Sequence, residues 1–158
     1  VTPRLAIIGQ VDWINWSDAF DTLEVRLRHV DNALYRELTG GKSNLDDDVP
    51  LRWRDQWVFR VGAEWTLDEH WTLRAGYRYG RSPVPAETLT PMNAAISEYV
   101  VSAGLGAKWG RTSVDFAWQW DLPQSESVGR TDLLSGEYNH SDVKVGVHWL
   151  TLTTAYEF

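Results

Sequence analysis

Six charged side chains recur at alternate positions along the chain: Arg26 and Arg28, Arg60 and Glu64, Arg74 and Arg78. Guanidinium groups pair well with carboxylates, so arginines gathered on one face can meet a carboxylate moving past them. The competing reading is mutual neutralisation, with Glu24 and Glu64 balancing the arginines in a wall that only needs polar packing. Asp46-Asp47-Asp48, with Asn44 beside it, offers oxygen density that a hard cation such as Ca²⁺ favours. The spacing is not that of an EF-hand, and acidic runs in loops are mostly solvated. His29, His70, His140 and His148 are scattered without ligand spacing, so no metal is expected. No nucleophile sits beside a base, no acid pair stands out and no glycine-rich phosphate loop occurs. The chain is therefore expected to be neither an enzyme nor the holder of a cofactor.

The charged residues sit on segments of period-two alternation, the pattern of strands with one apolar face. Seven such segments occur. The first sets Leu5, Ile7, Val11 and Trp13 against Gln10 and Asp12, and the second sets Leu23, Val25 and Leu27 against Glu24, Arg26 and Arg28. In the third, Trp57, Phe59, Val61, Ala63 and Trp65 oppose Arg60, Gly62 and Glu64. In the fourth, Trp71, Leu73, Ala75, Tyr77 and Tyr79 oppose Thr72, Arg74, Gly76 and Arg78. The fifth runs from Tyr99 to Trp109 and the sixth through Val114, Phe116, Trp118 and Trp120, opposite Asp115, Gln119 and Asp121. The seventh, from about Ser141 to Phe158, changes phase. Val143, Val145, Val147 and Trp149 form one set, and Leu150, Leu152, Thr154, Tyr156 and Phe158 the other. Either a β-bulge near Trp149 or an upper part projecting beyond a membrane accounts for the change.

Composition points to lipid. The chain holds ten Trp, six Tyr and four Phe in 158 residues, more indole than a soluble core needs, whereas membrane barrels place aromatics at both interfaces. No apolar run approaches the roughly 18 to 20 residues of a spanning helix. A net charge of −7 argues against a nucleic-acid partner. The absence of cysteine excludes a disulfide frame.

Aromatics gather at strand ends: Trp57, Tyr77, Tyr79, Tyr99, Trp118 and Trp120 toward one end, Trp16, Trp65, Trp71, Trp109 and Tyr156 toward the other. Two bands fit an interface girdle better than a sugar-stacking platform. The expected links alternate: short at 17–21, 68–70 and 110–111, long at 31–56, 80–98 and 122–140. Barrels that cross outer membranes show short periplasmic turns and long external loops. With the last strand descending to the short-turn side, counting back makes the first strand descend as well. An odd count of seven then breaks the even rule. The terminal strand ending in Phe158 and the direct opening at Val1-Thr2-Pro3-Arg4 fit a C-terminal part whose early strands lie elsewhere.

Several stretches resemble, in order, the FadL/TodX family of outer-membrane transport proteins. The most specific is Trp71-Thr72-Leu73-Arg74-Ala75-Gly76-Tyr77-Arg78-Tyr79, followed by Ser82-Pro83-Val84-Pro85 and Thr88-Leu89-Thr90-Pro91. Asp12-Trp13-Ile14-Asn15-Trp16, Trp53-Arg54-Asp55-Gln56-Trp57, Arg60-Val61-Gly62-Ala63-Glu64-Trp65, Ser113-Val114-Asp115-Phe116-Ala117 and Phe158 also resemble it. The resemblance implies an all-β, antiparallel transmembrane β-barrel of fourteen strands, of which this chain is the C-terminal half. The N-terminal plug and early strands would be absent from residues 1–158 and supplied by a missing N-terminal half or a second chain. It further implies passive uptake of long-chain fatty acids or aromatic hydrocarbons across a bacterial outer membrane, with membrane lipid and a hydrophobic small molecule as partners. The stretch Met92 to Glu98 departs from the family's Pro- and Arg-containing loop.

Pro83, Pro85 and Pro91 stiffen the second long loop. Its apolar members Val84, Leu89, Met92 and Ile96 either line an external ligand groove or pack the loop over the barrel mouth. Two other functions stay open at this point: a soluble Trp-rich β-sandwich that binds carbohydrate, and a structural barrel that transports nothing.

Overall fold

The computed structural model describes residues 4–133, 136 and 138–158, so the opening Val1-Thr2-Pro3 lies outside it. Strand β1 (Leu5–Ile14) is followed by a one-turn helix α1 (Trp16–Ala19), β2 (Thr22–Leu27), helix α2 (Ala33–Leu38) and β3 (Leu45–Pro50). Then come β4 (Gln56–Thr66), β5 (Trp71–Gly80), a 3₁₀ turn at Ala86–Thr88, β6 (Tyr99–Trp109), β7 (Thr112–Val128) and β8 (Ser141–Tyr156). No described helix is long and apolar enough to cross a membrane.

The wall is a six-stranded antiparallel sheet in the order β1-β4-β5-β6-β7-β8. The expected second segment is not in it. β1 pairs with β4 along its whole length, from Leu5↔Trp65 to Ile14↔Gln56. β2 pairs instead with β3, from Thr22↔Pro50 to Leu27↔Leu45. The stretch read as an acidic loop is thus the second strand of a hairpin. This hairpin extends the β1/β4 pair outward, because Leu51 and Arg52 N–H both donate to Asp21 O and Trp53 N–H to Phe20 O.

Removing β2 from the wall corrects three expectations together. The described wall has six strands, an even number. β1 and β8 run in opposite directions, so the first strand climbs from the short-turn side. The tight links are residues 67–70 and 110–111, while 15–55, 81–98 and 129–140 all lie at the far end. Gly110 takes φ +56° in the two-residue β6–β7 turn, the conformation such hairpins need. In the other tight turn, Asp68 accepts from the backbone N–H of His70 and of Trp71, each at 2.8 Å. The His70 bond and then the Trp71 bond hold its carboxyl below the usual carboxylate range.

The two faces of the wall differ. Cross-strand partners share a face, so one face carries Val11, Phe59, Val61, Tyr77, Val101, Leu105, Phe116 and Leu152. Among the described residues no second layer covers it: Trp57 and Trp65 keep 58% and 53% of their surface. The soluble sandwich is thereby overturned, since its aromatic face would be packed against another sheet. An upper row of Trp13, Trp57, Tyr79, Tyr99 and Trp120 and a lower row of Trp65, Trp71, Trp109 and Tyr156 bracket the band. From Thr112 to Trp120 the strand runs about 27 Å, and at the usual tilt this spans roughly 20 Å of a barrel's apolar height. Trp16 does not belong to the lower row. It stands at the loop end, 5.4 Å from both Phe20 and Trp53.

The irregularity lies in β7, not in β8, whose odd-numbered residues keep one face throughout. The register shifts between Asp121 and Gln124, placing Leu122 and Pro123 opposite Gly146. Pro123 lacks an N–H and Gly146 lacks a side chain, and a Cβ on Gly146 would lie 3.2 Å from Pro123 Cγ. β8 itself continues with Trp149, Val147, Val145 and Val143 on the inner face. They can be apolar there because the upper ones are covered from within. Val143 packs with Val128, Val84, Leu89 and Ile96 in a buried cluster, with Val145, Trp53 and Tyr138 against it. The hydrophobic core of the described residues thus forms where the 81–98 connection packs as a lid on the upper ends of β7 and β8, not along the middle of the wall.

Candidate passage lining

The inner face is read in rows from the register. Gln10, Arg60, Arg78, Val100, Asp121 and Val147 form one row; the row nearer the short turns is Ile8, Gly62, Gly76, Ser102, Gln119 and Trp149. Next come Ala6, Glu64, Arg74, Gly104, Ala117 and Thr151. Concavities of about 570 and 420 Å³ follow these rows.

The lower charges are locked together. Arg74 Nε donates to Glu64 Oε2 at 2.7 Å and its Nη1 to Asp115 Oδ1 at 2.6 Å. To reach from β5 to β7 the guanidinium must lie flat across β6, and there β6 is glycine. A Cβ on Gly106 would sit 2.8 Å from Arg74 Nη1 and 2.7 Å from Asp115 Oδ1. Higher up, Arg60 is ion-paired with Asp12 on β1, and Gln10 Nε2 donates to the same carboxylate at 2.9 Å. Arg78 differs. It faces Arg60 directly across the ladder, and no carboxylate of the described residues lies within ion-pairing reach of it.

The lid closes this face from above. Gln56, Val58 and Val100 are buried beneath it. Trp16 Nε1 donates to Gln56 Oε1 at 3.2 Å, and Gln56 Nε2 donates to Arg81 O at 2.7 Å. Thr88 Oγ1 donates to Leu51 O at 2.7 Å, and Arg52 pairs with Asp132 at 2.7 Å, so all three long connections are tied to one another.

Sequence reasoning placed Arg60, Glu64, Arg74 and Arg78 on the wall, and the structure brings them to its polar face. Arg26 and Arg28 are elsewhere. They lie on the outer hairpin, where Arg26 pairs with Glu24 and Arg28 with Asp46, each at 2.6 Å. Asp46 is thus engaged, and Asp47 and Asp48 fall on opposite faces of β3. Val84, Leu89 and Ile96 are buried at 7%, 0% and 2% in the lid, whereas Met92 projects with 96% exposed. Asp12, Asp115, Asp121 and Gln119 were visible as polar-phase residues, but only the cross-strand register reveals which arginine each one serves.

A family profile described as "Outer membrane protein transport protein (OMPP1/FadL/TodX)" matches residues 1–158. The chain belongs to this family. Among solved structures it is similar to a Pseudomonas aeruginosa FadL homologue, at 19% identity and TM-score 0.65 over 98% of this chain and 33% of that one. A TodX monoaromatic hydrocarbon channel (a deltaS2 mutant) gives 18% identity and TM-score 0.72 over 99% and 33%. The Ralstonia pickettii toluene transporter TbuX gives 18% and 0.63 over 98% and 30%. At these identities the likeness speaks for the fold: antiparallel wall of a FadL-type barrel. The FadL/TodX chain described here spans about a third of the length of each of these structures. No curated protein matches it.

Proposed function

We propose that this chain supplies wall, external lid and passage charge to a channel of a bacterial outer membrane that takes up hydrophobic compounds by diffusion. Long-chain fatty acids and aromatic hydrocarbons are the compound classes in view. The remaining strands come from the rest of the barrel or from a second chain, and the role is transport rather than catalysis. The observation that carries the reading is the two-faced wall: an uncovered aromatic and aliphatic face outside, a charged concave face inside. Membership of a family of outer-membrane transport proteins supports it. Uptake of a labelled hydrocarbon by cells with and without the complete protein tests it. Faster uptake with the protein, insensitive to removal of metabolic energy, is expected. Equal uptake in both would leave a structural barrel and overturn transport.

A further inference from the structure

We infer that Trp118, Trp120, His148 and Lys144 form a seat, on the lipid-facing side of the wall, for the head group of a phosphorylated glycolipid of the outer leaflet. The seat needs the wall to stand in an outer membrane and does not depend on what passes through it. The register puts Trp118 opposite Leu150 and Trp120 opposite His148, on the face that carries Phe116 and Leu152. Three rings meet there. His148 lies 5.9 Å from Trp118 and 5.3 Å from Trp120, at 13° to each, and the two indoles are 6.3 Å apart at 25°. The other Trp and Tyr pairs of the two aromatic rows meet tilted or edge-on, at 35° for Tyr79 and Tyr99 and 86° for Trp71 and Trp109. Three neighbouring rings with near-parallel planes form a platform.

The platform also carries a donor and a charge. An indole N–H only donates, so Trp118 Nε1, 3.2 Å from His148 Nδ1, makes that nitrogen the acceptor and puts the ring proton on Nε2. The Nε2–H is then a donor at the depth of the upper aromatic row, where the head groups of the leaflet begin. Lys144 stands on the same face of β8, four residues nearer the long loops and about 13 Å along the strand, beside Ser125 of β7. His148 and Lys144 are both exposed. Asp142, the next residue outward on that face, accepts from Ser127 Oγ at 2.6 Å, so its carboxylate is engaged. A sugar that lays its C–H face on the negative π-face of the rings turns its phosphate toward the Lys144 ammonium, a mobile point charge suited to phosphate. Phosphatidylglycerol has the phosphate and no sugar ring to lay on the platform.

The test offers the complete protein, folded in detergent micelles, three lipids: diphosphoryl lipid A, the same glycolipid stripped of its phosphates, and phosphatidylglycerol. Native mass spectrometry reads the affinities, and lipid A is expected to bind most tightly. Lys144→Gln is expected to weaken lipid A about tenfold, the scale of a lost charge-assisted hydrogen bond, and to leave the stripped glycolipid unchanged, which shows that the variant folds. Trp120→Leu should weaken both glycolipids and spare phosphatidylglycerol, whereas Trp57→Leu, from the same aromatic row, should change none of the three. Lipid A bound no better than phosphatidylglycerol, a Lys144→Gln protein that binds lipid A as the wild type does, or equal losses from Trp57→Leu and Trp120→Leu would each leave a general girdle and overturn the seat. A protein that stays dispersed without detergent overturns the membrane wall as well.

Discussion

Val61→Arg in the complete protein is expected to lose ~2–4 kcal/mol of stability in a bilayer, while Gly62→Arg, the next residue along β4, folds and obstructs the passage. Val61 lies mid-strand on the apolar face, between Gly9 and Tyr77 of the flanking strands, and is half exposed. In lipid that exposed half meets hydrocarbon, where a guanidinium has no partner. Gly62 faces the concave side, and a Cβ there meets nothing closer than Ala75 O at 3.8 Å, so a side chain can start without moving the backbone. Reversible unfolding from detergent or lipid reads the first effect, and hydrocarbon uptake reads the second. Equal destabilisation at both sites would contradict the assignment of faces.

Leu89→Ala is expected to loosen the lid by about 2–5 kcal/mol, the range for truncating a fully buried leucine. Leu89 has no exposed surface and packs with Val84, Ile96, Val128 and Val143. The wall, held by its own ladder, should stay closed. Proteolysis of the complete protein in vesicles should therefore cut within residues 81–98 at least tenfold faster, an opening shift of about 1.4 kcal/mol or more. Met92→Ala is the matched control from the same loop, since Met92 is 96% exposed. The same cleavage rate in both variants would show that the loop core does not hold the lid.

The wall was legible because period-two alternation survives wherever one face is apolar and the other polar. β4, β5, β6 and β7 all carry that signature, and the inner arginines of β4 and β5 follow from it. β2 carries it too, in Leu23, Val25 and Leu27, yet it belongs to the hairpin. Alternation reports that a strand has two different faces, and it does not report which strand it pairs with. β3 was hidden for the opposite reason. Three consecutive aspartates are unfavourable strand formers, and they are held in β3 by pairing with β2 and by the Arg28–Asp46 ion pair. Helix α2 had a readable signal, since Asn32 accepts from Tyr35 N–H at 3.0 Å as an N-cap and Gly40 and Gly41, at φ +67° and +87°, end it. For the apolar switch in β8 the sequence leaves open a bulge near Trp149 or an upper part projecting beyond the membrane. The bulge lies instead at Leu122-Pro123 of β7, and the upper inner face of β8 is apolar because the lid covers Val143 and Val145, a non-local cause. Arg74, locked by two carboxylates, and Arg78, which has none within reach among the described residues, likewise look alike in sequence, and only the cross-strand partners separate them.

The most direct measurement is a scan of side-chain environment along Trp57 to Trp65 in the complete protein within a bilayer. This chain has no cysteine, so single cysteines introduced here carry a spin label without background from its own residues. Collision with dissolved oxygen should be highest at Phe59, Val61 and Ala63, and collision with a water-soluble nickel complex highest at Arg60, Gly62 and Glu64, alternating residue by residue. Labels shielded from both reagents at Phe59, Val61 and Ala63 would place the apolar face inside protein and contradict the barrel wall.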